Sequence, residues 1–186
     1  YGSNCVRTTE ESCAGTFHSG DLCSKYEEET GCQAQKRVGC ATGEGAYDIY
    51  WYDSCGQREN IYLGESPSAK RESNNSGRIM NAQERTASDC ASSGDCGKCN
   101  YPHESICAPI MKKSEGLGTK GKVKAGDFYC KPLDCKNAQL NVGAGDKSNG
   151  ESWCLFDAFV GKGKDTVGSE HHLVMCNQGE VKLIKQ

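Results

Sequence analysis

Cysteine is the residue type whose number and spacing in this sequence could support chemistry. The chain holds 14 cysteines, and Cys96-Gly-Lys-Cys99 is its one C-x-x-C motif. Such a motif can act as a redox pair or supply half of a zinc site. A redox pair requires a βαβ pattern, which does not surround this motif, and the nearest second pair, Cys130 and Cys135, has a longer spacing. We therefore predict structural disulfides and no bound metal.

The even number of cysteines predicts that all of them are paired. Leu, Ile, Val and Phe make up only 26 of the 186 residues, so little side-chain material is present for an apolar core. Each disulfide contributes on the order of 2–4 kcal/mol and offsets part of that deficit. Along the sequence the cysteines fall into a group of six, from Cys5 to Cys55, and a group of eight, from Cys90 to Cys176. Each group could close on itself, but the pairing stays open because six or eight cysteines allow many connectivities. The predicted disulfide cysteines are Cys5, Cys13, Cys23, Cys32, Cys40, Cys55, Cys90, Cys96, Cys99, Cys107, Cys130, Cys135, Cys154 and Cys176.

Other residues with chemical potential give weaker signals. His171 and His172 are adjacent, and neighbours on a strand point to opposite faces, so we do not expect them to share an ion. The acidic stretch from Asp146 to Glu151 lacks the spacing of a calcium loop. The sequence has no Gly-x-Ser-x-Gly elbow for nucleophilic catalysis. We predict a protein that is not an enzyme and that binds no cofactor.

Two features are compatible with sugars. The aromatic run Tyr50, Trp51 and Tyr52 could stack on sugar rings as a glycan platform, although in a chain so poor in apolar residues the same rings could form the core. Asn74-Asn-Ser76 is an N-glycosylation sequon, so Asn74 is a candidate glycan attachment site. The sequence alone does not decide whether the aromatic run is a platform or a core, or whether Asn74 carries a glycan.

Charge and hydropathy restrict the partners. The net charge is −3, which gives no reason to expect a nucleic acid partner. No run of about 18 apolar residues could form a transmembrane segment. Disulfide-rich chains belong to oxidising compartments, so we predict an extracellular or cell-surface location. The opening Tyr1-Gly-Ser3, without Met, is typical of a mature form or a fragment whose targeting segment has been removed.

Strand signals outnumber helical ones. Tyr47–Tyr52 and Asn60–Leu63 predict a hairpin, and 152–160 is the most apolar run. His171–Cys176 and Glu180–Lys185 flank Asn177-Gln-Gly179, which predicts a hairpin with a three-residue loop.

Helical signals are short and lie near the N-terminus. Thr8-x-x-Glu11 and Ser24-x-x-Glu27 match capping boxes and predict one or two short helices. The predicted fold class is therefore a small, disulfide-rich extracellular fold, mostly β, with antiparallel sheets and irregular loops.

Polar stretches indicate where the chain could divide. Residues 64–77 and 112–122 contain little to bury and predict exposed loops. We predict an N-terminal cysteine-rich region over 1–56, a polar connecting segment over 57–89 and a C-terminal cysteine-rich β region over 90–186. The alternative is one continuous domain.

Several blocks of the sequence carry a resemblance to a known kind of domain: Asp48–Tyr62, Asp95–Tyr101, Asn149–Asp157, Val167–His172 and Cys176–Val181. Together they resemble a cysteine-rich domain of large secreted or surface proteins predicted from archaea with reduced genomes, over residues 47–182. The resemblance implies a surface location and modular architecture, and it transfers no catalytic residue. This chain has Glu170 and His172 where that domain is expected to have an Arg and an aromatic residue.

The combined interpretation is an extracellular structural or adhesive surface component, which could assemble with itself as a filament or surface layer. The expected partners are copies of the same chain, other surface proteins or glycans. The alternative is a secreted carbohydrate-binding module that uses the aromatic platform. A secreted hydrolase or an inhibitor is a more distant third.

Overall fold

The computed structural model describes residues 5–41, 47–80, 97–101, 104–110, 124–125, 128–140, 144–156 and 171–185. These residues form mostly antiparallel β-structure with two short α-helices, which confirms the predicted fold class. The helices are α1 (Glu27–Thr30) and α2 (Pro67–Asn74), and 3-10 turns cover Glu10–Ser12, Cys23–Tyr26 and Asn75–Gly77. None of these helices is long and apolar enough to cross a membrane.

Eleven strands are formed in the described part of the chain. They are β1 (Arg37–Cys40), β2 (Ile49–Tyr52), β3 (Arg58–Ile61), β4 (Ser105–Pro109), β5 (Lys124–Ala125), β6 (Phe128–Pro132), β7 (Cys135–Gln139), β8 (Ala144–Lys147), β9 (Ser152–Phe156), β10 (His171–Asn177) and β11 (Glu180–Lys185). The sheets run in the orders β1-β2-β3, β4-β6-β5 and β11-β10-β9, and β7 pairs with β8 alone.

The chain divides into two compact units. The first, here the N-terminal unit, comprises residues 1–99 and 107–130, and the second, the C-terminal unit, comprises 100–106 and 131–186. The chain therefore passes between the units three times, between residues 99 and 100, within β4 and within β6. The strand β3 lies inside the 57–89 segment that the sequence analysis treats as a connection, so part of that segment belongs to a sheet.

The sheet β1-β2-β3 of the N-terminal unit is covered on both faces. The predicted hairpin is confirmed, since β2 and β3 pair antiparallel with Tyr50 opposite Ile61. One apolar cluster contains Ile49, Trp51 and Tyr62, and a second contains Tyr50 and Ile61. Because successive strand residues point to opposite faces, two clusters on one strand mean that both faces are buried. This explains why β2 is apolar without alternation.

Gly97 allows a close backbone approach to β2 and to Tyr62. Its N–H donates to the Tyr62 carbonyl at 2.6 Å, and its carbonyl accepts from the Ile49 N–H at 2.7 Å. A Cβ at this position would lie 2.3 Å from the Ile49 carbonyl oxygen. Only glycine can therefore complete this backbone connection to β2.

The helix α2 corrects the prediction of an exposed loop over 64–77. Ser66 is its N-cap and accepts a hydrogen bond from the Ala69 N–H, and Pro67 occupies the first turn. Both residues are strongly favoured at these positions. The Ser73 hydroxyl donates to the Ile61 carbonyl, which attaches the helix to β3. The helix was missed because it has almost no apolar stripe, and the second predicted loop, 112–122, lies outside the described residues.

The two predicted capping boxes are not formed. The N-cap of the first 3-10 turn is Thr9 rather than Thr8, and it makes no side-chain cap bond. Ser24 lies inside the second turn, and its hydroxyl donates to Glu59 instead. The prediction of short helical turns near the N-terminus is confirmed, but their caps are not those of the motif.

Five disulfides join ten of the cysteines in the described residues: Cys5–Cys23, Cys32–Cys55, Cys40–Cys107, Cys99–Cys130 and Cys135–Cys176. The bond between Cys40 and Cys107 connects the two groups into which the cysteines fall along the sequence. Cys13 departs from the prediction that every cysteine is paired, since its thiol donates to the Gly15 carbonyl at 3.4 Å. Cys154 lies on β9 with an exposed side chain, and Cys90 and Cys96 lie outside the described residues.

The C-terminal unit is built around the β9-β10-β11 meander. The predicted hairpin of β10 and β11 is confirmed, but its loop has two residues rather than three, because Asn177 pairs with Glu180. Gln178 and Gly179 both have positive φ, at 51° and 80°, as a tight type I′ turn requires. The buried cluster of Cys135, Ala138 and Cys176 packs against Trp153.

Candidate functional site

A cavity of about 300 Å³ lies in the N-terminal unit. Phe17, His18 and Tyr26 contribute aromatic side chains to its wall. The rings of His18 and Tyr26 contact each other with their centroids 4.2 Å apart and their planes tilted by 35°. This volume is at the lower end of the range for small-molecule sites, so the cavity has room for a small ligand beside aromatic rings.

Backbone pairing positions the segment that carries these rings. The Leu22 N–H donates to the Gly77 carbonyl at 2.8 Å, and the Ile79 N–H donates to the Gly20 carbonyl at 2.7 Å. The Cys5–Cys23 disulfide ties the N-terminal segment to the 3-10 turn that ends at Tyr26. The wall is therefore held by hydrogen bonds and a covalent bond and not by apolar packing alone.

Asp21 uses both carboxylate oxygens within the wall. Lys25 lies 2.8 Å from one oxygen, and the Tyr26 hydroxyl donates to the other at 2.7 Å. The hydrogen bond from Lys25, with that from Tyr26, lowers the pKa of Asp21. The bond to Asp21 in turn raises the pKa of Tyr26. Asp21 therefore orients Tyr26, and its hydrogen-bonding capacity is engaged by its neighbours.

Asp53 also lines the cavity, and one of its oxygens has no hydrogen-bond partner among the described residues. It follows β2 and is only 1% exposed. Its Oδ1 accepts from the Cys55 N–H at 2.9 Å and from the Gln57 N–H at 2.8 Å, which caps the turn into β3. Its Oδ2 has no hydrogen-bond partner in the part of the chain that the structure describes. A buried acceptor in this state costs free energy until a donor reaches it.

Glu59 on β3 is the second buried carboxylate of the cavity wall. The Ser24 hydroxyl donates to one of its oxygens, and the Gln35 N–H donates to the other at 2.6 Å. Burial raises the pKa of Glu59, and the nearby charge of Asp53 acts in the same direction. Arg7 and Arg58 line the same cavity, so its wall presents charges of both signs.

A second candidate site is the strand β11 in the C-terminal unit. It is the outer strand of its sheet, and none of the other described strands pairs with its outer side. Val181, Leu183 and Ile184 on it are 44%, 57% and 50% exposed. Large apolar side chains on an open strand edge are typical of a surface that pairs with another chain. The sequence predicts this hairpin but not the exposure of its last strand.

The proposed glycan platform is not formed. Tyr50 and Trp51 are 1% and 3% exposed, and Tyr52 is half-buried, with its hydroxyl donating to the Cys40 carbonyl at 2.8 Å. These rings lie in or against the two apolar clusters of the sheet. The platform hypothesis is therefore wrong for these residues, and the alternative reading, that they form the core, is correct.

The remaining predicted site residues do not come together. Asn74 is half-buried, and its Oδ1 accepts from the Gly77 N–H, while its glycosylation stays a prediction. Cys99 of the C-x-x-C motif is bonded to Cys130. His172 lies on β10 in the other unit from His18. Among the described residues one group has metal-ligand spacing, Cys32, Asp53 and Cys55, but its two sulfurs are joined in a disulfide.

The acidic stretches are engaged with neighbouring lysines or exposed to solvent. Asp146 accepts from Lys136 at 3.0 Å, and Glu151 pairs with Lys147. These hydrogen bonds from Lys136 and Lys147 lower the pKa of Asp146 and of Glu151. The stretch around 146–151 is therefore a salt-bridged turn at the end of β8.

Comparison of the chain with protein-family models, curated proteins and solved structures found no match. Two places in the described residues could therefore carry a function, the cavity of the N-terminal unit and the edge of β11.

Proposed function

We propose that this chain is an extracellular structural component of a surface, and that it associates with a second copy of itself through β11. The observation that carries this proposal is the open edge of β11 with its three exposed apolar side chains. Charged and polar residues normally protect such an edge. β11 carries Glu180 and Lys182 among its apolar residues, but three of its exposed side chains are large and apolar, which suits this edge to a partner.

The disulfides support the extracellular part of the proposal. Five are present in the described residues, and they connect positions as far apart in sequence as Cys40 and Cys107. Disulfides on this scale form and persist in oxidising compartments. A surface component exposed to proteases and variable conditions also gains from covalent closure.

A second copy is the occupant that best fits the edge. Two β11 strands related by a two-fold axis at Leu183 run antiparallel, so that their unpaired backbone groups face one another. In this register Leu183 is opposite Leu183 of the second copy, and Lys182 is opposite Ile184. No like charges then oppose each other, whereas a register centred on Lys182 would place two lysines together. An axis at Leu183 is therefore compatible with the charges of β11, and it is the register that we propose.

Sedimentation velocity over a range of concentrations from micromolar to hundreds of micromolar tests the proposal. We expect the oxidised protein to form a dimer whose fraction rises with concentration. Leu183→Lys should weaken dimerisation at least tenfold, because a desolvated lysine would meet its own copy at the axis. Val6→Lys is the matched control, since Val6 is a comparably exposed apolar residue in the other unit, and it should leave the dimer unchanged.

A monomer at every concentration would contradict the proposal. So would a dimer that Leu183→Lys and Val6→Lys affect equally, because its interface would then lie elsewhere.

A further inference from the structure

We propose that four of the five disulfides in the described residues form a continuous covalent route that carries tension between the N-terminal segment and β11. This inference deepens the structural role proposed above and rests on it, because a subunit held at β11 must transmit force through its own chain. A chain that is pulled at two points becomes taut along its shortest covalent connection. Residues outside that connection stay slack, so the positions of the disulfides decide which elements bear the force.

The first half of the route lies in the N-terminal unit. The disulfide between Cys5 and Cys23 joins the N-terminal segment directly to the 3-10 turn at Cys23–Tyr26. The backbone then leads through α1 and β1 to Cys40, whose bond to Cys107 spans 67 positions of the sequence. Tension therefore passes from β1 to β4 without entering the chain between them.

The second half of the route reaches β11. From Cys107 the shortest connection runs backwards along the chain to Cys99, whose disulfide leads to Cys130. The end of β6 and its connection to β7 separate Cys130 from Cys135, and the last bond joins Cys135 to Cys176. Cys176 lies on β10, close to the turn that precedes β11. Force applied at β11 therefore reaches a disulfide after only a few residues of backbone.

Most of the described sheet structure lies off this route. The strands β2 and β3 and the helix α2 lie between Cys40 and Cys99, and the strands β8 and β9 with most of β10 lie between Cys135 and Cys176. Each of these two stretches is closed into a loop by disulfides on the route. The backbone inside a closed loop cannot be drawn out while the bonds are intact. The buried clusters of β2 and β3 are thereby protected from tension.

The remaining disulfide, between Cys32 and Cys55, closes a loop beside the route. From Cys55 the backbone reaches Cys99 only by way of β3, α2 and the chain beyond it. The way from Cys32 through β1 to Cys40 is much shorter, so it takes the tension. This disulfide therefore provides a control within the same chain.

The test is the extension of single oxidised monomers by optical tweezers, with handles at the two ends of the chain. The route contains about 45 residues and four disulfides, which at full extension measure on the order of 170 Å. After complete reduction by a dithiol, the contour length should rise to about 650 Å. Because each molecule is pulled as a monomer, the result does not depend on dimerisation through β11, and failure of either proposal can be recognised separately.

Two double variants distinguish the route from the bond beside it. Cys40→Ser with Cys107→Ser forces the tension onto the chain between Cys55 and Cys99, and should lengthen the oxidised molecule by about 100 Å. Cys32→Ser with Cys55→Ser is the matched control and should leave the contour length unchanged. The length of a fully extended chain depends on its covalent bonds and not on its stability, so a destabilised variant still reports the route.

Two results would overturn the assignment. One is an oxidised natural chain that extends several-fold beyond 170 Å before any reductant is added, as an estimate from residue spacing. The other is an equal change of contour length in the two double variants, because tension would then pass through both disulfides or through neither.

Discussion

Glu59 shows how a single residue couples the N-terminal wall to the sheet. It lies on β3, and its two oxygens accept from Ser24 and from the backbone of Gln35. These bonds stabilise the ionised form, but burial acts more strongly and raises its pKa above the ordinary value of 4.5. The folded chain therefore holds a proton on Glu59 more readily than the unfolded chain does.

Replacement of Glu59 by Gln should raise the melting temperature at pH 7. Because the folded pKa is raised, the contribution of Glu59 to stability is greatest below pH 4.5 and is lost as the pH rises through its folded pKa. The amide keeps an acceptor for Gln35 and removes the buried charge. The advantage of Glu59→Gln should therefore disappear as the pH falls below 4.5.

Thermal unfolding of the natural chain and of Glu59→Gln at several pH values measures the difference in their melting temperatures. Glu72→Gln on the exposed side of α2 is the control. The difference in melting temperature between this variant and the natural chain should change little with pH. A lower melting temperature for Glu59→Gln at pH 7 would mean that the hydrogen bonds to the carboxylate outweigh its burial.

At the scale of elements, the sequence predicts the hairpins β2-β3 and β10-β11 and the apolar run that contains β9, but it does not predict β1, β4 to β8 or α2. Aromatic and β-branched runs predicted β2, β3, β10 and β11, because burial of a sheet face requires such residues. The helix α2 has Ser73 as its buried residue, so its signal is confined to Ser66 and Pro67 at the start. Its place in the fold depends on one hydrogen bond from Ser73 and one from Gln35 to the Lys70 carbonyl.

Ser66→Ala should destabilise the protein by about 1 kcal/mol, because the Ala69 N–H loses its side-chain partner. Ser66→Asp keeps an acceptor at the N-cap, so it should destabilise the protein by only a few tenths of the amount expected for Ser66→Ala. Urea unfolding of the oxidised protein measures both. Equal stability of Ser66→Ala and Ser66→Asp would show that the cap contributes nothing to α2.

Parts of the two candidate sites could not be predicted from the sequence, because they depend on residues that are distant along the chain. The cavity brings residues 17–26 together with Asp53 and Glu59, which are more than twenty residues away along the chain, so no local spacing reveals it. The sequence shows the aromatic run at 50–52. Whether these rings are exposed or buried depends on whether other segments cover both faces of the sheet. That face is covered by Met80 and Ala41, which no local pattern connects to it.

At the scale of the whole molecule, covalent bonds take the place of a large core. The buried apolar clusters are small, and several of their members are disulfide cysteines, such as Cys99 and Cys130 in one cluster and Cys135 and Cys176 in another. Cysteine number predicted this organisation. The pairing could not be predicted, because a disulfide needs two Cα atoms within about 4.4–6.8 Å of each other, and for Cys40 and Cys107 the fold brings together positions 67 residues apart.

Near-ultraviolet circular dichroism of the protein before and after reduction tests whether the disulfides hold the fold. The aromatic residues of the buried clusters report whether specific packing survives. We expect the oxidised chain to keep its native spectrum on mild heating, and the monomer fully reduced by a dithiol to lose it at room temperature, because unfolded-state entropy is no longer restricted. Retention of the native spectrum by the reduced monomer would contradict the account, since packing alone would then hold the fold.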